Sequence, residues 1–149
     1  MICVCSFFLQ AFGAVGAMSD RVCIASEGKK IVRVSADDLV SCCAECGSCD
    51  GGDPDFAWNY WVEHGIVSGG DYGSNEGCRP YEIPPCEHHV NGTRPSCEGI
   101  DSETPKCVRK CQNKKYDVPY KQDLSLGEKA YRVSSNENAI MKEIYTHGP

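Results

Sequence analysis

Apolar residues recur at helical spacing in four stretches of the chain, with polar, proline-rich sequence between them. From Phe12 to about Ala25 the residues are mainly Ala, Val, Met and Ile, which predicts a helix weakened by Gly13 and Gly16. A second helix opens at Ser35-Ala36-Asp37-Asp38 and runs into Cys42-Cys43. Ser35 is placed to cap free amides there, and the two aspartates suit the positive helix end. A third opens at Asp53-Pro54, a capping residue followed by proline at the first helical position. Phe56, Ala57, Tyr60 and Trp61 give it an apolar face, and Gly65 is a natural stop. The fourth begins Ser134-Ser135-Asn136-Glu137, which reads as a capping box between Ser134 and Glu137. Ile140, Met141 and Ile144 form its apolar side, and Gly148-Pro149 ends it.

From Ser68 to Leu126 no period holds. Pro80, Pro84, Pro85, Pro95, Pro105 and Pro119 interrupt every candidate element, so the segment reads as loop. A loop this long in a compact domain needs an anchor, and the five cysteines inside it offer one. Lys129 to Val133 reads as a short strand. There is no internal repeat and no low-complexity tract.

Composition sharpens this picture at one point. The 149 residues, 41% hydrophobic and 24% charged, describe one globular domain, and a net charge of −6 argues against a nucleic-acid partner. The 12 cysteines are the informative number, because the cytosol would keep so many thiols reduced. An oxidising compartment is expected: the secretory pathway, a vesicle lumen or the outside. The sequon Asn91-Gly92-Thr93 fits it as a glycosylation site on an exposed turn. No apolar run reaches the roughly 18 residues of a membrane span. Met1 to Ala17 is uncharged and ends in small residues, as a signal peptide does, although no basic residue precedes it.

Two clusters invite a metal. Cys42-Cys43-Ala44-Glu45-Cys46-Gly47-Ser48-Cys49 holds overlapping C-x-x-C pairs, the spacing of a zinc knuckle or a redox pair. Zinc, however, takes two well-separated pairs, and a redox pair sits at a helix start after a strand. Structural disulfides are the better reading. His88-His89 beside Cys86 point different ways in an irregular loop. An isolated imidazole titrates at about 6.5, so such a pair suits a carboxylate, held in a pH-dependent way, better than a shared ion; two solvated loop histidines are the plain alternative. No metal and no cofactor is expected.

At this point a family resemblance becomes visible. Ala11-Phe12-Gly13-Ala14-Val15 with Ala17-Met18-Ser19-Asp20-Arg21 resembles the helix that follows the nucleophile in cathepsin B. Asp38 to Cys43 resembles that family's double-cysteine helix, and Cys49-Asp50-Gly51-Gly52 its C-N-G-G cleft strand. Gly77-Cys78-Arg79-Pro80-Tyr81, continued by Pro84 to Gly92, is similar to the occluding loop that separates cathepsin B from other papain-like proteases. Thr104 to Cys107 and Tyr120 to Asp123 continue the match, which covers 11–149.

The resemblance implies an α+β fold class: the left, mainly helical, disulfide-rich domain of the papain-like cysteine protease fold, with long loops. Residues 1–10 form a non-matching segment, part of a signal peptide or a mis-joined exon. Residues 11–149 form a partial peptidase domain that includes an occluding loop at 78–97. It implies the disulfides Cys42–Cys107, Cys43–Cys46, Cys78–Cys111 and Cys86–Cys97; the partners of Cys3, Cys5, Cys23 and Cys49 stay open. It implies substrate contacts at Gly51 and Gly52 through the backbone, and at His88 and His89 with a substrate's C-terminal carboxylate, which gives dipeptide removal. Asp50 and Asp53 depart from the family's asparagine and aromatic residue, and bring extra negative charge to that cleft.

No catalytic residue is expected in the chain. Leu9 stands where the family's C-G-S-C-W-A-F run has its nucleophile, and Gln10 stands at the tryptophan. A thiol protease needs a thiolate and a paired base, and His147 resembles the end of the helix before the second domain rather than that base. The family's partners are peptide or protein substrates and pro-segment or cystatin-like inhibitors. Three readings follow: an incomplete or mis-assembled cathepsin B-like peptidase, inactive alone; a secreted non-catalytic homologue that binds peptides or pro-segments; and a disulfide-stapled interaction protein. A half domain would also expose the apolar face that meets its other half, and is expected to aggregate alone.

Overall fold

A computed structural model of the chain describes residues 6–48, 51–87, 90–100 and 103–149, with side chains from residue 10 onward. Its longest element is α1, Ser6–Ala25. The helix starts six residues before Phe12, because Ser6 to Ala11 contain nothing that breaks it. Ala11, Ala14, Val15 and Met18, one face at the i, i+3, i+4, i+7 spacing, are buried, and Met18 is wholly so. Gly13 has no heavy atom within 4 Å of where a Cβ would stand, and neither has Gly16. The glycines therefore cost the helix backbone entropy without serving a close contact, and the buried face holds it.

Two shorter helices pack on α1: α2, Ala36–Cys42, and α3, Pro54–His64. Both start as their sequences predict. The Ser35 hydroxyl accepts from the Asp38 amide, the Asp53 carboxylate accepts from the Asp55 amide, and Pro54 opens α3. Gly65 ends α3 at φ 72°, a conformation that favours glycine, and donates its amide to the Trp61 carbonyl. Leu39 and Val40 from α2 and Ala57 and Trp61 from α3 join the α1 face in one core, with Val34, Ile66 and Tyr81 from the connecting segments. Tyr81 meets Phe12 edge-on at 4.9 Å.

Between α2 and α3 lie a single 3-10 turn at Ala44–Cys46 and a two-stranded antiparallel hairpin of β1, Gly47–Ser48, and β2, Gly51–Gly52. Further along, single bridges join Val34 to Ser68 and Ile66 to Ser125.

Among its described residues the loop region contains one element that the prolines conceal, the four-residue helix α4, Tyr120–Asp123. It follows Pro119, whose fixed φ suits a helix entry. The last helix, α5, spans Glu137–His147. Its cap is Asn136, whose side-chain oxygen accepts from the Asn138 and Ala139 amides, so the capping box expected at Ser134 is displaced by two residues. Lys129 to Val133 form no strand, since no described neighbour takes up their backbone groups. Arg21 holds the end of α5 against α1. Its guanidinium donates to the Pro149 and Gly148 carbonyls, pairs with Glu143 at 3.1 Å and lies over the Trp58 ring.

Candidate functional site

Among the described residues, disulfides join Cys42 to Cys107, Cys43 to Cys46, Cys78 to Cys111 and Cys86 to Cys97. With Cys42, Cys43 and Cys46 oxidised, the overlapping C-x-x-C run offers no thiolate there to a metal. Among the described residues, Cys23 is a free, half-buried thiol. Cys3, Cys5 and Cys49 lie outside the described residues, as do Asp50, His88 and His89.

The hairpin is built around Gly47, at φ 128°. A Cβ there would stand 2.2 Å from the Gly51 carbonyl oxygen and 2.5 Å from Gly52 Cα. Only a hydrogen fits, so the two strands close to their register of Gly47 opposite Gly52 and Ser48 opposite Gly51. β2 packs against α1. Over Gly51 the space is open, with no heavy atom within 4 Å of a Cβ position. Among the described residues the sheet has these two strands alone, which leaves the second edge of β2 unpaired. Asp53 follows directly, exposed, with one carboxylate oxygen engaged as the α3 cap.

The second group of sequence candidates lies on the loop between Cys86 and Cys97. Its two arms pair through Glu87: the Glu87 amide donates to the Pro95 carbonyl at 2.7 Å, and the Cys97 amide to the Glu87 carbonyl at 2.9 Å. The Glu87 carboxylate fills the space beneath Gly92, where a Cβ would meet it at 2.3 Å. Asn91 is exposed at the tip.

His147, the other histidine of interest, ends α5. The adjoining Gly148 rests against Ile24, at the C-terminal end of α1. Leu9 lies near the start of that helix, so at 1.5 Å per residue roughly 20 Å separates the two positions. His147 cannot serve as base to any group near residue 9.

The sequence did not single out the largest buried polar cluster. Asp37 and Asp38 read as helix-start residues, yet both carboxylates are fully buried with Arg79, itself 0% exposed. Arg79 approaches Asp37 at 2.6 Å, as an ion contact off the hydrogen-bond angle, and donates to Asp38 at 3.1 Å. The same guanidinium donates to the Val108 carbonyl. Asp38 accepts from Tyr120 and from the Val67 amide, and Asp37 from the Glu82 amide. Burial is the main influence on Asp37, with Arg79 opposing it, and its carboxyl is raised from 3.8 to about 6. Burial and the Asp38 charge also push the Tyr120 and Tyr60 hydroxyls up. The only sequence signal was the pair of acids itself, and no local pattern ties it to an arginine 41 residues away.

Beyond the core, α5 carries Ile140, Met141, Ile144 and Tyr145 in the open, the last 94% exposed. No helix among the described residues is long and apolar enough to cross a membrane.

The family model for papain family cysteine proteases matches residues 3–149. The chain is 53% identical over 141 residues to cathepsin B-like cysteine proteinase 6 of Caenorhabditis elegans, an alignment covering 93% of this chain and 37% of that protein. It is 49% identical over 140 residues to the cathepsin B-like cysteine proteinase of Schistosoma japonicum, covering 93% and 41%. Its fold matches procathepsin B S9 from Trypanosoma congolense with a TM-score of 0.62 and 34% identity, over 93% of this chain and 39% of that one. The chain spans about two fifths of the length of the relatives it matches.

Proposed function

We infer, for a chain that belongs to the papain family of cysteine proteases, that it forms the helical, disulfide-bearing wall of a cathepsin B-like peptide-cleaving cleft. The observation that carries this reading is the unpaired edge of β2 at Gly51-Gly52, lying against α1 with open space over Gly51. An extended peptide laid along that edge finds free backbone groups and no side chain in its way. His88 and His89 then lie on the loop that would receive the peptide's C-terminal carboxylate, for removal of dipeptides. The exposed apolar side of α5 suits contact with the further polypeptide that completes such a cleft. Substrates are peptides or proteins, pro-segments and cystatin-like inhibitors compete for the same edge, and the chain is glycosylated at Asn91 in a lysosomal or secreted form.

A second reading rests on Leu9. A leucine at the nucleophile position makes the chain a non-catalytic binder of peptides or pro-segments, since an alkyl side chain has no lone pair to attack a carbonyl.

One experiment addresses both. Extended fluorogenic peptides are incubated with the purified chain, and hydrolysis and binding are followed together. Binding without hydrolysis is expected, with the affinity reduced at least tenfold by Gly51→Val. That change fills the open position and forces a side chain into the φ of 142° found there. Turnover by the chain alone would overturn the loss of catalysis, and binding unchanged by Gly51→Val would overturn the cleft.

A further inference from the structure

We propose that Asp37 is a buried proton-binding site that couples proton uptake to anchorage of the loop root on α2. The charge count carries the proposal. Two carboxylates, Asp37 and Asp38, face one guanidinium, Arg79, and all three side chains are fully excluded from water. Ionised together, they leave one uncompensated negative charge inside the protein, where it is costly. The neighbours do not supply the missing cation. Asp38 is already held by Arg79, Tyr120 and the Val67 amide, so its charge is well satisfied. Asp37 has the Arg79 contact and the Glu82 amide, while the Glu82 carboxylate adds repulsion.

The titratable groups around the cluster can be followed element by element. Asp37 and Asp38 belong to α2, Arg79 and Glu82 to the segment after Cys78, Tyr120 to α4 and Tyr60 to α3. Arg109 reaches the region only from the exposed surface, where it acts on Tyr60. Glu82 is itself engaged by the Gln112 side chain. Protonation of Asp37 is therefore the one change among these groups that brings the buried charge to zero without breaking the Asp38–Arg79 pair.

The site ties together parts of the chain that are far apart in sequence. Arg79 is next to Cys78, which is bridged to Cys111, and it also donates to the Val108 carbonyl beside Cys107. Proton occupancy at Asp37 thus bears on how firmly both ends of the long loop are held to α2.

The direction follows from linkage. In the folded chain Asp37 keeps its proton up to about pH 6, whereas the unfolded carboxyl releases it near 3.8. The stabilisation is fully present below the unfolded value and is lost as pH rises through 6. The full difference corresponds to roughly a hundredfold in the folded-to-unfolded ratio.

The test compares urea unfolding of the full chain and of Asp37→Asn, a neutral isostere of the protonated form, from pH 4 to pH 7.5. The wild-type ratio, taken relative to the variant, is expected to fall about a hundredfold as pH rises. A ratio independent of pH would overturn the proposal. If the variant does not fold, the carboxyl carbon of Asp37 is followed by NMR in the ¹³C-aspartate-labelled wild type. A midpoint near 6 supports the site, and one below 4.5 sinks it. Asp38→Asn gives Asp37 sole use of the guanidinium and is expected to lower that midpoint by at least one unit; a midpoint left unchanged would also count against the charge balance.

Discussion

Arg79→Met is expected to destabilise the chain by about 3–5 kcal/mol at neutral pH, the largest effect of any single substitution away from the core. Methionine keeps an unbranched stem that reaches about as far as Nε of the arginine, but leaves two fully buried carboxylates with no cation. Domains of this size hold roughly 5–15 kcal/mol in all, so the variant should lie near its unfolding midpoint without denaturant. The loss should be smaller at pH 4, where Asp37 is protonated and one buried charge fewer is left without a cation. The triple variant Arg79→Met, Asp37→Asn, Asp38→Asn should recover much of it, since it removes the unpaired charge rather than the contact. Urea titrations followed by circular dichroism distinguish these cases. An Arg79→Met midpoint equal to wild type would mean that the cluster does not hold the fold.

The second large effect concerns Cys42–Cys107, which joins residues 65 apart in sequence. Replacing both cysteines with serine should cost about 4 kcal/mol on the chain-entropy estimate, through the larger freedom of the unfolded chain. The same change detaches Val108, and so one of the Arg79 contacts, from its fixed place beside α2. Urea unfolding at pH 5 should show the loss. A change below about 1 kcal/mol would mean that the remaining bridges and the ionic cluster already restrict the loop as fully.

The sequence revealed the elements whose signals are local. Ser35, Asp53-Pro54 and Gly65 place the starts and stops of α2 and α3 because capping involves neighbours only a few residues apart. At α5 two hydroxyl residues and an asparagine compete within three positions, and the residue with the better acceptor geometry, Asn136, takes the role. The start of α1 lies six residues before the expected Phe12, because Ser6 to Ala11 carry no helix breaker, and Gly13 and Gly16 sit within a helix that its buried face sustains. The cysteine pairs could be named from family likeness but not from spacing. For Asp37 and Asp38, helix-end aspartates and buried ion-pair aspartates look alike until the partner is known. Of the candidate site, Gly51 and Gly52 are found in a hairpin, whereas its close approach at Gly47 left no pattern in the sequence that a turn would not also leave.

The bridges also determine how the molecule comes apart when it is cut. Cys42–Cys107 and Cys78–Cys111 overlap rather than nest, since Cys78 lies inside the first span and Cys111 outside it, and Cys86–Cys97 lies within both. A single break in the backbone anywhere from Cys42 to Cys111 therefore leaves the two fragments joined by at least one covalent link. Such a nick changes the number of chain ends and not the number of molecules. A nicked protein would keep its mass under oxidising conditions and separate into two bands only on reduction.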